Sequence, residues 1–357
     1  MEVIDLEREI ASRSERAYDF IRENLPWELS SEALSACAWH YLRGGGKGLR
    51  PALLMLCCGA VGGDERRAVP AAASVEVAHN WTLVHDDIMD RDELRRGRPT
   101  AHAFLREKAR GRGLPLEEAE HYGLSMALTA GDLMHAWSVL LCLKLADWGV
   151  PSEVVLAVVG RLERAMAEVI EGQAMDLDLS RAPLKEVDRE EVMEMMRKKT
   201  ASLLEFCATA GAMIGKGKVD DDFPEARALS LFARKCGLAF QLKDDLLGLF
   251  GSEEEIGKPV GSDIEEGKRT LLVVEAYKSL DGPRRERLEA LLGKKGLSPE
   301  ELEEFRDLVE QSGSRERVER VAQALAEEGK GALRALPESP QKMALEGLAE
   351  FVVSRGR

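Results

Sequence analysis

The sequence predicts an all-α fold, a single large helical bundle spanning residues 1–357. Three observations carry that expectation. Apolar residues recur at helical spacing along almost the whole chain, alternating strand patterns bounded by turn signals are absent, and no low-complexity linker divides the segments. The length alone would suggest about two domains. Without a linker to separate them, one large domain is the expectation.

Taken in order, the periodicity predicts helices over 4–24, 30–43, 50–61, 66–90, 100–109, 117–148, 152–180, 188–214, 224–250, 268–280, 284–293, 299–312, 315–334 and 339–354. In 188–214, Val192, Met195, Met196, Leu203, Phe206 and Ala210 repeat between an acidic start at Asp188–Glu191 and a stop at Gly215-Lys216-Gly217. In 299–312, Ser298 is placed to cap, Pro299 stands at the first helical position and Glu301 closes a capping box. The last helices, within 281–357, are ordinary amphipathic segments that finish the domain and carry no assigned chemistry. Three Gly- and Pro-punctuated stretches interrupt the pattern, at 43–51, 91–99 and 251–267, and loops of that length usually have a function.

Composition narrows the function classes. Hydrophobic residues make up 45% of the chain, enough for a large core, so disorder is excluded as the dominant state. The formal charge of -14, from 50 Lys+Arg against 64 Asp+Glu, weighs against nucleic-acid binding, which needs a basic face. An anionic ligand would have to meet locally concentrated cations or bound metal. The six cysteines form no Cys-x-x-Cys and sit in apolar stretches, as expected of buried thiols in a reducing compartment. Residues 1–10 mix charge with apolar residues, unlike a signal peptide, and the apolar stretch Pro51–Val61 falls well short of a bilayer span. A cytoplasmic protein without a transmembrane segment is expected.

Two aspartate groups stand near the C-terminal ends of long predicted helices: Asp86-Asp87-Ile88-Met89-Asp90 and Asp244-Asp245-Leu246-Leu247-Gly248. Helical geometry places Asp86 and Asp90 on one face, one turn apart, with Asp87 flanking them. Carboxylates there oppose the helix dipole, so they are poor structural choices. One such pair is ordinarily a solvated helix end. Two pairs embedded in apolar sequence suit Mg2+, a hard cation that keeps waters and shares its shell with phosphate oxygens. The basic counterparts are concentrated in the loops. Arg43–Arg50 carries three cations among glycines and no acid, without the spacing of a Walker loop, and Arg91–Arg112 holds eight basic residues against three acidic ones. Lys198-Lys199-Thr200 interrupts an apolar face, and Lys258 and Lys268 follow the second aspartate group. Metal and cations together fit a diphosphate, whose charge neither would neutralise alone.

These residues, in this order, resemble the trans-isoprenyl diphosphate synthases, or polyprenyl synthetases, over nearly the whole chain. The resemblance is carried by Gly45-Gly46-Lys47-Gly48-Leu49-Arg50-Pro51, His79, the first aspartate group with Arg95-Arg96-Gly97-Arg98-Pro99-Thr100, Gly131-Asp132, Gly172-Gln173 with Asp176, Lys199-Thr200, Phe240-Gln241 with Asp244-Asp245, and Gly257-Lys258-Pro259 with Lys268. It implies an isoprenoid-synthase helical bundle around a central active-site cavity, and a homodimer. It further implies that Asp86, Asp87, Asp90 and Asp244, supported by Asp245, bind about three Mg2+ ions per site that grip an allylic diphosphate. Arg95, Lys199, Lys258 and Lys268 would hold the same diphosphate, with Thr200 and Gln241 at the reacting centre. Lys47, Arg50, His79 and Arg96 would bind isopentenyl diphosphate. Ionisation of the allylic diphosphate, attack by the isopentenyl double bond and proton loss to the departing pyrophosphate need no enzymic nucleophile, and His85 is read as packing or orienting.

Two departures from the family pattern stand out. Gly248 replaces a third aspartate found in many members, and Gly48 replaces an Arg or Lys. Product length is read from the helix preceding Asp86: Trp81 and Thr82, then Val77 and Ala78 a further turn back, form the expected floor. An aromatic at Trp81 with no insertion in the aspartate group resembles the archaeal-type short-chain members and points to geranylgeranyl (C20) over farnesyl (C15) products. A class I terpene cyclase would lack the second Asp pair and the basic loop. A non-catalytic subunit would have lost ligands, and a helical scaffold would leave the paired motifs unexplained.

Overall fold

Residues 5–26, 28–252 and 260–354 are described by the computed structural model, and their architecture is almost entirely helical. In chain order the helices are α1 (Leu6–Asn24), α2 (Glu32–Ala38), α3 (Leu49–Ala60), α4 (Val69–Asp90), α5 (Ala101–Gly111), α6 (Leu116–Leu143), α7 (Ser152–Leu179), α8 (Arg189–Met196), α9 (Ser202–Lys216), α10 (Pro224–Phe250), α11 (Ser262–Glu266), α12 (Leu271–Ser279), α13 (Gly282–Leu291), α14 (Pro299–Gln311), α15 (Ser314–Ala332) and α16 (Pro340–Ser354). The capping signals act where the sequence places them. Asp188 and Glu191 form a reciprocal box at the start of α8, and Ser298 and Glu301 do the same for α14, whose first residue is Pro299.

The chain divides into two compact units. The first comprises Met1–Glu163, Phe206–Leu229 and Ala335–Leu345. Its centre is α4, whose residues from Val69 to Ala78 are all buried because α1, α3, α5 and α6 pack around it. A helix enclosed on every side needs no polar stripe, and this one carries few charges before its last turn. Trp39 and Trp137 meet at 6.0 Å in the same core. The second unit comprises Arg164–Glu205, Ser230–Arg334 and Glu346–Arg357. Its core gathers Leu242 and Leu246 of α10, Leu271–Val274 of α12, Phe305 of α14 and Val318 of α15.

Three departures from the periodicity have local causes. The predicted helix over 30–43 stops at Ala38 and resumes only as a 3-10 turn at Leu42–Gly44, which the glycines that follow bring to an end. The stretch 91–99, read as loop, contains a two-residue antiparallel ladder pairing Leu94 with Pro99 and Arg95 with Arg98, too short to leave an alternating signature. Within 251–267, α11 fits between Gly261 and Gly267, both with left-handed backbones. The segment Leu116–Trp148, α6 with its following 3-10 turn, is long and apolar enough to cross a membrane by length and composition. It packs against α4 and α5 in the first unit, and 44% of its most apolar window is buried there.

Gly48 gives the clearest case of a glycine that the fold requires. It precedes α3 at φ +61, and a Cβ there would lie 1.9 Å from Ser14 Oγ. The cation that many family members carry at this position has no room. Gly45, at φ +66, has nothing within 4 Å of its added Cβ. Gly45→Ala should therefore lose only the left-handed backbone preference, about 1 kcal/mol, whereas Gly48→Ala should lose about 2 kcal/mol or more through added overpacking. Urea unfolding measures both, and equal midpoints would refute the steric part.

Candidate active site

In the first unit, Asp86, Asp87 and Asp90 occupy the last turn of α4. The helix stops there because Arg91 turns left-handed at φ +60 and its N–H closes onto the carbonyls of Asp87 and Ile88. Asp86 and Asp90 are half-buried and one turn apart. Asp87 is fully buried: one oxygen accepts Arg95 Nε at 2.6 Å and Nη2 at 2.5 Å, and the other accepts the Tyr41 hydroxyl. Tyr41 in turn accepts the Ala101 N–H at 3.0 Å. Asp87 thus differs in kind from its two neighbours, its carboxylate being already engaged by a guanidinium and a phenol. Tyr41 carries no motif and could not be singled out from sequence.

The basic groups of this unit converge on His79. Burial, and then the guanidinium groups of Arg50, Arg95 and Arg96, pull its pKa well below the ordinary histidine value, so the imidazole is neutral at pH 7. Three cations thus act on one uncharged ring inside an acidic chain. Lys47 is exposed on the glycine loop and Arg50 lies in the first turn of α3. Arg96 sits in the hairpin turn at φ +52, and its Nη1 donates to the Gly45 carbonyl at 2.8 Å. His85 packs where Gly131 leaves space, since a Cβ on Gly131 would lie 2.1 Å from its ring, and His85 Nε2 donates to the Leu128 carbonyl at 3.2 Å.

Two turns before the aspartates, Val77 and Ala78 are wholly enclosed, and the Thr82 hydroxyl donates to the His79 carbonyl at 2.8 Å. Trp81 is 8% exposed, with its ring 4.8 Å from that of His135 and 5.9 Å from that of His85. Its indole N–H is buried without a hydrogen-bond partner among the described residues. His135 is itself tied to Glu163 at 3.1 Å. The tryptophan is thereby wedged by two imidazoles on α4 and α6.

In the second unit, Lys199 and Thr200 lie in a π-helical segment, Arg197–Ala201, joining α8 to α9. Such a bulge re-aims side chains and recurs at functional sites. It fits because a Cβ on Gly172 of α7 would lie 2.3 Å from the Lys199 backbone nitrogen, so only glycine admits the segment. One turn on from Gly172, Asp176 is 5% exposed and pairs with Lys199 at 2.6 Å and Lys268 at 3.3 Å. Burial alone would raise its pKa, but the two ammonium groups outweigh it and hold the carboxyl below its ordinary value. Asp176 was visible as part of a motif, yet its role as the anchor of both lysines was not. The Thr200 hydroxyl donates to Gln241 Oε1 at 2.8 Å, and Gln241 Nε2 donates to Asp245 Oδ1 at 2.9 Å. Asp244 is half-buried beside it on α10. Asp245, Gly248, Asp263, Lys268 and Thr270 line one small pocket. Lys258, with Gly257 and Pro259, lies outside the described residues.

Among the described residues, no three carboxylate, imidazole or thiolate side chains stand close enough to hold a metal by themselves. The donor set nevertheless fits Mg2+, which prefers a few carboxylates and completes its shell with water and phosphate oxygens. Asp245 shows the need for a counter-charge. Burial first, then the nearby carboxylate of Asp263, push its carboxyl up to about 8; the Gln241 amide relieves part of that, and Asp244 and Asp176 add to it. A raised carboxyl pKa means that the fold holds a proton which the unfolded chain releases. In metal-free protein this contribution is complete below the ordinary value of 3.8 and is lost as pH climbs through about 8. The urea midpoint should therefore fall across that window, and Asp245→Asn should flatten the fall. An identical slope in the variant would place the proton elsewhere.

A family model described as polyprenyl synthetase matches residues 31–309. A short chain isoprenyl diphosphate synthase of Methanothermobacter thermautotrophicus is 37% identical over 357 residues, covering 99% of each chain. The crystal structure of a geranylgeranyl pyrophosphate synthetase from Pyrococcus horikoshii superposes with a TM-score of 0.85 at 36% identity, over 98% of both chains. A geranylgeranyl pyrophosphate synthase from Corynebacterium glutamicum, solved with isoprenyl diphosphate and magnesium, gives a TM-score of 0.87 at 28% identity, over 99% of this chain and 100% of that one. The chain belongs to the polyprenyl synthetase family and is a prenyltransferase.

Proposed function

We propose that this prenyltransferase condenses isopentenyl diphosphate head to tail with allylic diphosphates, with Mg2+ at the aspartate groups, and that its principal product is geranylgeranyl diphosphate. The observation that carries the reading is the ion pair of Arg95 with Asp87 at 2.5 Å, which sets Arg95 and the neighbouring Arg96, bound to the Gly45 carbonyl, beside the turn of α4 that carries Asp86 and Asp90. A basic hairpin and glycine loop beside a carboxylate turn suit two diphosphates held by different groups.

Asp86 and Asp90 would hold Mg2+ from α4, and Asp244, with Asp245 in support, from α10. Bound Mg2+ supplies neutralisation of the charge that builds on the departing diphosphate. Lys199 and Lys268, presented by Asp176, hold that diphosphate, and Lys258 is assigned with them from the resemblance. Arg95 contributes from the hairpin that follows α4, kept in place by Asp87, which we assign to positioning rather than to metal because Arg95 and Tyr41 already engage its carboxylate. Lys47, Arg50, His79 and Arg96 bind isopentenyl diphosphate and aim its double bond at the allylic carbon. Thr200 and Gln241, locked by their mutual hydrogen bond, line the reacting centre. The proton lost after condensation goes to the released pyrophosphate.

The product reading rests on Trp81, whose indole closes the helix face little more than one turn below the aspartates and is held by His85 and His135. Homodimer formation through α6 is supported by the exposure of Leu128, Leu140 and Leu143 on that helix. The six buried free cysteines fit a cytoplasmic setting.

Incubating purified protein with isopentenyl diphosphate, Mg2+ and each allylic primer in turn, then sizing the prenyl alcohols, should yield mainly C20 chains. A C15 product would favour the farnesyl alternative, and no incorporation with any primer would favour a non-catalytic subunit. Asp86→Asn and Asp90→Asn should each raise the barrier by roughly 3 kcal/mol, about a hundredfold in kcat. Near-wild-type turnover would refute their metal role. Trp81→Ala should lengthen the product on reverse-phase chromatography, and an unchanged length would remove Trp81 from the floor.

A further inference from the structure

A buried carboxylate with no part in the reaction lies beneath the glycine loop of the first unit. Glu76 on α4 is 4% exposed and Tyr18 on α1 is 6% exposed. The Tyr18 hydroxyl donates to Glu76 Oε1 at 2.6 Å. Asn80 Nδ2, one turn along α4, stands 3.4 Å from the same oxygen and donates to the Glu76 carbonyl at 2.8 Å. Neutral donors satisfy lone pairs but leave the charge, and a charge removed from water is costly unless an opposite charge faces it.

Arg96 is the cation that faces it across Gly46, without a direct ion pair. A Cβ on Gly46 would meet Tyr18 Oη at 3.1 Å, Glu76 Oε1 at 3.2 Å and Arg96 Nη1 at 3.6 Å. Three polar ends therefore converge on the space left by one missing side chain. Gly46 has an ordinary negative φ, so its glycine is explained by this crowding and not by backbone conformation. Arg96 is fixed from the loop side by the Gly45 carbonyl at 2.8 Å, and its own backbone is held at φ +52, which a non-glycine residue adopts only when its surroundings impose it. The Tyr18 hydroxyl registers both neighbours: burial and then Glu76 raise its pKa, while Arg96 lowers it.

A carboxylate this close to an anion site ought to weaken binding by repulsion. We propose instead that Glu76, oriented by Tyr18, is a positioning residue that holds Arg96 and the Gly45–Lys47 turn in the geometry that receives isopentenyl diphosphate. In the empty site Arg50, Arg95 and Arg96 repel one another, and side chains free to splay would have to be gathered again at each binding event. A fixed counter-charge on the protein side keeps them gathered and leaves their outward N–H groups for the diphosphate. This role rests on the reading of Arg50, Arg96 and His79 as the isopentenyl diphosphate site.

The test is steady-state kinetics on the full chain, varying each substrate at saturation of the other. Glu76→Gln should raise the KM for isopentenyl diphosphate about tenfold or more, with kcat within about threefold and the allylic KM unchanged. Tyr18→Phe should move the same KM in the same direction by less. A lower KM in Glu76→Gln would reveal net repulsion and overturn the proposal. Equal losses in kcat and both KM values would also overturn it, since a general folding defect does not choose between substrates. If Glu76→Gln does not fold by circular dichroism, Tyr18→Phe decides, and an unchanged KM rejects the role. Arg96→Gln separates this inference from the reading beneath it. Should Arg96→Gln leave the isopentenyl diphosphate KM unchanged, the site assignment itself fails; should it raise that KM while Glu76→Gln does not, only the role of Glu76 falls.

Discussion

The first unit's site depends on one buried ion pair, Asp87 with Arg95. The carboxylate is fully buried, and the guanidinium reaches it through two nitrogens. Removing one partner of such a pair typically costs about 3–5 kcal/mol, because the other is left charged and dry. Four pieces of chain meet there: the last turn of α4, the first hairpin strand, Tyr41 at the edge of the glycine loop, and the N-terminus of α5 through the Ala101 N–H. Once Arg95 is pinned in the strand, Arg96 and Gly97 must make the two-residue turn with positive φ, and the guanidinium of Arg96 is delivered to the Gly45 carbonyl. The ion pair therefore sets the position of a second cation that it does not touch.

The second unit uses the same device with a different cast. Asp176, buried on α7, draws two lysines from distant points in the sequence, Lys199 in the π segment and Lys268 before α12. Neither lysine could be held by packing, since each has a long flexible stem that loses much entropy when fixed. Glycine makes the approach possible: without Gly172 the π segment could not lie on α7, and Lys199 would stand out of reach of Asp176. Close backbone approach and charge pairing are thus one arrangement.

Much of this was legible in the sequence. Apart from the short α11, the helices from α7 onward follow the hydrophobic period to within a few residues, because each has one face on a core and one in water, and capping boxes fix α8 and α14 at their starts. The hairpin at Leu94–Pro99 was illegible because two-residue strands leave no alternation. Among site residues, Asp86, Asp90, Lys199 and Gln241 stood out because charge or amide interrupts an apolar stretch. The division of labour within each group was hidden. Asp86 and Asp87 are adjacent and identical in type, and only the 100° step between them decides that one is half-buried and the other enters the core to meet Arg95. Tyr41 and Tyr18 escaped notice for a related reason: a phenol that supports a carboxylate reads in sequence as one more core aromatic.

The distribution of acids also changes what a net charge of -14 means. Counted along the chain, the excess of carboxylates opposes a diphosphate ligand. Counted in space, two buried carboxylates hold cations of the candidate site. Asp87 and Asp176 each bind a cation from beneath, and each is buried where its own field is met by the group it holds. Arginine and lysine anchored in this way lose little further freedom when an anion arrives, whereas the same residues on an acid-free surface would pay that entropy on binding. A strictly basic pocket would be attractive but loose. Pairing Arg95, Lys199 and Lys268 with inner carboxylates gives up part of the attraction and gains fixed geometry, which matters more for a reaction in which two diphosphates must be held apart while their hydrocarbon ends are brought together.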